Sequence, residues 1–230
     1  MSQISRKQEL IIPFHELDSI EPTEVVRSIL DIDFARYAAK GITNWGFDIE
    51  GTVAPGNSSE PVIPQRFVDH IQAARDARHI ETLFLLTNRR TEVNGEKVGD
   101  MAYAQQAGDR LGADFVFVRD PDIPGKPNRD MMDRALEEMD LDRNSVGYAG
   151  DKLTADIRMA NEAELAGSIW VNPRHGPQDL FLDRLVRRTL ELRYAKQLEL
   201  RPRTAGFLGR LMVAGERYMD LRRKVREIDS

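Results

Sequence analysis

Short apolar runs rich in β-branched and aromatic residues recur along the first 171 positions, and between them lie stretches whose apolar residues repeat at helical spacing. Runs of the first kind read as buried strands: Trp45-Gly46-Phe47, Thr82-Leu83-Phe84-Leu85-Leu86, Asp114 to Val118, Ser145 to Ala149 and Ser168 to Val171. The second kind reads as helices over about Pro64–Arg78, with Phe67, Ile71 and Ala74 on one face, Val98–Leu111, Arg129–Met139 and Thr154–Ala163. Upstream, the pattern predicts a helix over about Pro22–Leu30 capped by Thr23. A second short helix, Phe34–Lys40, ends at Gly41. Residues 54–59 read as a loop, and the strand over 82–86 ends in Thr87-Asn88-Arg89-Arg90.

Strands alternating with helices at such short intervals imply right-handed crossovers and a parallel sheet covered on both faces. The expected fold is therefore α/β and Rossmann-like, a three-layer parallel sheet without a large cap domain. From Gln178 the strand pattern stops. A helix is expected over Gln178–Leu198, a break at Pro202, and a second helix over Gly206–Ile228 whose apolar residues keep heptad rhythm. The expected organisation is a domain over residues 1–177 followed by a C-terminal helical hairpin over 178–230.

Composition narrows the class. A chain of 230 residues, 41% hydrophobic and 31% charged, has room for one full core and an appendage. The net charge of -5 gives no reason to expect a nucleic-acid partner, but its distribution is uneven: residues 179–230 hold 13 Lys+Arg against 8 Asp+Glu. The basic tail suits contact with an anionic membrane surface or association through helices. The absence of cysteine excludes disulfides, thiolate zinc sites and a cysteine nucleophile. With no leader pattern and no spanning apolar run, a cytoplasmic location is expected, with peripheral membrane contact through the tail.

The candidate chemistry sits at the strand ends. Asp48 and Glu50 follow the first central run, with Gly51 allowing a sharp turn; Thr87 follows the second, and Asp151 the fourth. In a parallel α/β sheet the carboxyl ends of the strands line the ligand crevice, so residues dispersed in sequence are gathered along one edge. Lys126 lies in a loop able to reach that edge. Carboxylates with one lysine and one hydroxyl suit a phosphoryl group held with Mg²⁺, whose hard oxygen ligands the carboxylates supply. Arg89 and Arg90 read either as selectors of an anionic substrate or as a surface pair. The four histidines show no metal-ligand spacing.

Four short segments in order resemble the motifs of the haloacid-dehalogenase-like phosphatases: Asp48-Ile49-Glu50-Gly51-Thr52, Thr87-Asn88, Gly125-Lys126-Pro127, and Gly150-Asp151-Lys152-Leu153-Thr154-Ala155-Asp156. Val26 to Asp33, followed by Gly41-Ile42, looks like the opening segment of the small lidless class III branch that includes phosphatidylglycerophosphate phosphatases. The resemblance implies a Mg²⁺-dependent phosphomonoesterase in which Asp48 is the nucleophile, Glu50 the general acid and base, and Lys126, Thr87 and Asn88 bind the transferring phosphoryl group. It implies metal ligation by Asp48, the main-chain carbonyl of Glu50, Asp151 and Asp156. The implied substrate is a phosphorylated lipid of the phosphatidylglycerophosphate kind. The alternatives are a soluble sugar or nucleotide phosphate, or a weakly active scaffold that binds a partner through its C-terminal helices. One departure stands out: the family's usual residue at position 50 is Asp. Glu adds a methylene, and a displacement on the order of 1 Å can cost about a hundredfold in rate.

Overall fold

A computed structural model describes residues 18–171, apart from positions 57, 94, 121 and 123. The expected N-terminal arm, up to residue 17, and the expected helical hairpin over 178–230 lie outside the described residues.

Six strands form one parallel sheet: β1 (Glu24–Val26), β2 (Asn44–Phe47), β3 (Thr82–Thr87), β6 (Phe115–Val118), β7 (Val146–Gly150) and β8 (Gly167–Val171). Their spatial order is β1-β8-β7-β2-β3-β6, so β2 lies inside the sheet between β7 and β3. Every residue of β2, β7 and β8 is buried, as expected for a parallel sheet covered on both faces. Side chains alternate between two cores. Trp45, Phe47, Leu83 and Leu85 join one, with residues of helices α1 (Phe34–Ala38), α2 (Gln65–Asp76) and α3 (Met101–Leu111). Phe84, Leu86, Val146 and Tyr148 join the other, with α4 (Asp130–Met139) and α5 (Arg158–Glu162). Gly46 is small for a reason of packing: a Cβ there would lie 2.5 Å from the Phe84 ring and 2.7 Å from that of Tyr148.

Two expectations are corrected. The helix expected over Pro22–Leu30 is instead the edge strand β1, which pairs Glu24 with Ile169 and Val26 with Val171, followed by a short 3-10 turn at Ile29–Asp31. The apolar spacing of Val25, Val26, Ile29 and Leu30 suits a helix, but the open side of β8 offers a ladder that a local helix would forgo. Thr23 bonds to Ser168 rather than capping, and Ser28 with Asp31 forms the capping box of the 3-10 turn. The second correction lies beyond Thr87. There an antiparallel hairpin, β4 (Arg90–Val93) and β5 (Glu96–Gly99), fills a stretch for which no element was expected and replaces the first turn of the expected helix. Helix α3 accordingly begins at Met101, capped by Asp100, whose carboxylate accepts from the Tyr103 amide at 3.2 Å.

Candidate active site

Three adjacent strands present their carboxyl ends side by side. The Asp48 amide donates to Ala149 at 2.9 Å, which continues the β2–β7 pairing one residue past β2, while Thr87 ends β3 and Asp151 directly follows β7. The chain then turns tightly: the Ile49 carbonyl accepts from Val53 and Ala54 at 3.1 and 2.9 Å, and the Gly51 amide donates to Ala54 at 2.7 Å. Gly51 has φ +83°, and a Cβ on it would lie 2.0 Å from Asp151 Oδ2. Glycine is required here both by conformation and by the approach of that carboxylate. Gly51→Ala is expected to lower stability by about 1–3 kcal/mol, since the alanine must take a strained backbone conformation and displace Asp151. Urea unfolding against the parent checks this; an unchanged midpoint would show that neither the conformation nor the approach is needed.

After Asp151 the backbone opens into a single π-helical stretch, Leu153–Ile157, a local widening that recurs at functional sites. It brings Asp156 inward, where Oδ2 accepts from the Lys152 amide at 3.0 Å. Asp48, Asp151 and Asp156 are all buried, and each offers a carboxylate oxygen within 4.8 Å of the others'. The Trp170 indole donates to the Asp151 carbonyl at 3.1 Å and braces the loop from behind.

Lys126, only 7% exposed, is buried against this cluster. Its ammonium lies 2.5 Å from Asp48 Oδ1 and 2.7 Å from Asp156 Oδ1, and also donates to the Leu86 carbonyl at 3.0 Å. Burial alone would lower the lysine's pKa, but Asp156 and Asp48 hold it well above its usual value. Burial likewise favours protonated carboxyls, yet Lys126 and Lys152 keep Asp156 below its usual range. Asp48 goes the other way: burial, and then the charge of Asp156, push it up to about 7 against the pull of Lys126. Three buried carboxylates stand against two ammonium groups, Lys126 on Asp48 and Asp156 and Lys152 at 3.9 Å from Asp151 Oδ1, so hard, negatively charged oxygen donors outnumber the cations. That donor set fits Mg²⁺.

The Glu50 carboxylate stands apart from the triad. Its Oε2 accepts from the Thr87 hydroxyl at 3.0 Å, and its Oε1 pairs with Arg89 Nη1 at 3.0 Å. The resemblance implies metal ligation by the main-chain carbonyl of Glu50, so this side chain is left for other work. Asn88 spends both ends of its amide on the main chain of Lys126, donating to the carbonyl at 2.8 Å and accepting from the amide at 2.9 Å. It braces Lys126. Of the arginine pair, Arg90 is exposed on β4, whereas Arg89 turns inward. Sequence reasoning missed Asp100 and Tyr103, which support Arg89. The Asn94-Gly95 dipeptide, a strong hairpin signal, could have located the insertion that places them.

Fold and site together define a class: a Rossmann-like α/β domain that gathers carboxylates, a lysine and a threonine at the carboxyl edge of its parallel sheet, in the arrangement that the haloacid-dehalogenase-like resemblance implies. Comparisons with known proteins bear on parts of the chain. Residues 123–175, which include Lys126, Asp151 and Asp156, match the family described as HAD-hydrolase-like. A stretch of 57 residues is 38% identical to a 4-nitrophenylphosphatase of Schizosaccharomyces pombe, covering 25% of this chain and 19% of that protein. The chain thus spans about a fifth of the length of the curated relative that it matches. Among solved structures, an uncharacterized protein from Listeria monocytogenes serotype 4b aligns with a TM-score of 0.45 and 16% identity, over 60% of this chain and 84% of that one. A candidate phosphoglycolate phosphatase from Lactobacillus delbrueckii subsp. bulgaricus aligns with a TM-score of 0.35 and 21% identity, over 45% and 38% of the two chains.

Proposed function

We propose that this protein is a Mg²⁺-dependent phosphomonoesterase that works through an aspartyl-phosphate on Asp48. The observation that carries the proposal is the sharing of one buried ammonium, Lys126, between Asp48 and Asp156 within a triad of carboxylates at the edge of the sheet. An aspartate so placed lies beside both the positive charge that would orient a phosphoryl group and the oxygen donors that would hold a cation. Asp48, Asp151 and Asp156 would hold Mg²⁺, together with the Glu50 carbonyl. When bound, Mg²⁺ supplies positive charge that offsets repulsion between phosphate and carboxylates.

The residues then divide the work. Asp48 attacks phosphorus, so that an oxygen–phosphorus bond forms on its carboxylate as the bond to the leaving oxygen breaks. Glu50 gives its proton to that leaving oxygen. In the second half it takes a proton from water as the water oxygen attacks phosphorus and releases Asp48. Thr87 and Lys126 bind the phosphoryl oxygens, and Asn88 fixes the main chain of Lys126.

For the substrate, the upstream resemblance supports a lipid of the phosphatidylglycerophosphate kind. Among the described residues the insertion between β3 and α3 is only a short hairpin, which leaves space for a large or surface-held molecule. The basic segment 179–230 would then contact the anionic membrane. A soluble sugar or nucleotide monophosphate is the competing substrate.

The test uses the full chain and 4-nitrophenyl phosphate. Phosphate release is expected with Mg²⁺, loss of release with a chelator, and recovery on adding excess Mg²⁺. No release at any Mg²⁺ concentration would overturn the enzyme reading in favour of a scaffold.

A further inference from the structure

Arg89 is held from every direction. Its amide donates to Thr87 Oγ1 at 3.0 Å, and its carbonyl accepts from the Asp100 amide at 3.1 Å, which closes the base of the β4–β5 hairpin. Its side chain reaches into the site. Nη1 meets Glu50 Oε1 and Nε meets Asp100 Oδ2, both at 3.0 Å, while the guanidinium lies 3.9 Å from the centroid of the Tyr103 ring. The supports are themselves fixed: Asp100 caps α3, and Tyr103 is buried, with its hydroxyl 3.5 Å from that of Ser58. A guanidinium is planar and its donors keep a rigid fork, so two carboxylates and a ring face leave it one orientation.

We propose that Arg89 is a positioning residue that fixes Glu50 by Oε1 and leaves Oε2 as the oxygen that carries the proton; this rests on the phosphatase reading above. The two oxygens differ in what they can exchange. Oε1 is paired with a guanidinium that Asp100 and Tyr103 hold in place. Oε2 accepts one hydroxyl hydrogen bond from Thr87, which a leaving-group oxygen or a water can replace at little cost. In the first half-reaction the proton on Oε2 passes to the leaving oxygen as its bond to phosphorus breaks. In the second, Oε2 accepts a proton from the attacking water.

This assignment also gives the methylene at position 50 a purpose. The contacts to Thr87 and to Arg89, each 3.0 Å long, need the reach of glutamate. An aspartate on the same backbone would stop short by about one carbon–carbon bond, ~1.5 Å. Glu50 and Arg89 are thus a matched pair, and the hairpin that follows Arg89 is the device that anchors it.

The experiment compares two substrates in the full chain: 4-nitrophenyl phosphate, whose leaving group departs with little protonation, and glycerol phosphate, whose alkoxide requires it. Arg89→Ala is expected to lower kcat on glycerol phosphate about tenfold to a hundredfold, to leave the burst of 4-nitrophenol from the aryl ester within about threefold of the parent while slowing the steady-state release that follows it, and to leave KM nearly unchanged. Glu50→Asp should show the same dependence on the leaving group. Adding Arg89→Ala to Glu50→Gln should cost no more than about twofold beyond Glu50→Gln alone, because the arginine acts through the carboxylate. A loss in the 4-nitrophenol burst equal to the loss on glycerol phosphate, multiplied losses in the double variant, or a rise in KM alone would overturn the proposal.

Thermal unfolding shows whether Arg89→Ala folds. Where it does not, Arg89→Lys decides, since it keeps the positive charge but lacks the fork that spans Glu50 and Asp100 and should show the same pattern. A parent chain that releases no phosphate from either ester overturns the phosphatase reading and this proposal together. A parent that turns over, with Asp48→Asn inactive, upholds that reading and lets the leaving-group pattern judge Arg89 alone.

Discussion

Asp48→Asn is expected to reduce phosphate release by about four orders of magnitude or more while leaving the protein as stable as the parent, or more so. The amide keeps the shape of the side chain but cannot form the covalent intermediate. Its effect on stability has the opposite sign, because the carboxyl it replaces is poorly placed for a charge. Burial and Asp156 push Asp48 up to about 7, so between about pH 4 and pH 7 the folded state binds more protons here than the unfolded state does. In chelator, therefore, this carboxyl makes the parent less stable as pH rises through that window, and Asp48→Asn removes the dependence. Phosphate assays and urea unfolding at pH 5 and pH 7.5 check both halves. Activity within tenfold of the parent would exclude Asp48 as the nucleophile. A variant that is less stable than the parent at pH 7.5 would refute the electrostatic account.

Lys126→Met should fail in both respects. It removes the ammonium 2.5 Å from Asp48 and 2.7 Å from Asp156, leaving two buried carboxyls without their shared partner. Breaking a buried ion pair from one side costs about 3–5 kcal/mol, more than its replacement by apolar packing returns. Activity is expected to fall about a thousandfold, since the phosphoryl group loses its nearest cation. Mg²⁺ should restore part of the lost stability, because a cation that binds only the folded state raises its stability by mass action. Urea unfolding with and without Mg²⁺ measures this. A loss below about 1 kcal/mol in chelator would mean that the carboxyls do not depend on the lysine.

The sheet and most of its site residues were legible because both rest on local signals. Buried parallel strands are continuous apolar runs, and a polar residue at the end of each one marks the ligand edge. Asp48, Thr87 and Asp151 were placed by that rule, and they do end three neighbouring strands. What was not legible depends on partners far along the chain. Glu24-Val25-Val26 becomes a strand because β8, some 145 residues later, has an open side. The inward turn of Arg89 depends on Asp100 and Tyr103, which the sequence places beyond a hairpin of its own. For Asn88 the family resemblance implied a place beside the phosphoryl group. Its engagement with Lys126 follows from the folding of a loop 38 residues away.

That amide-to-backbone clamp has a mechanical consequence. The paired bonds between Asn88 and Lys126 resemble a rung of a ladder, and Gly125 allows them to close, since a Cβ there would sit 2.3 Å from Asn88 Oδ1. The two loops consequently behave as one rigid part, and the ammonium needs no hinge to meet an arriving phosphate. Whatever adapts to substrates of different size must therefore lie around the rim, while the floor stays still.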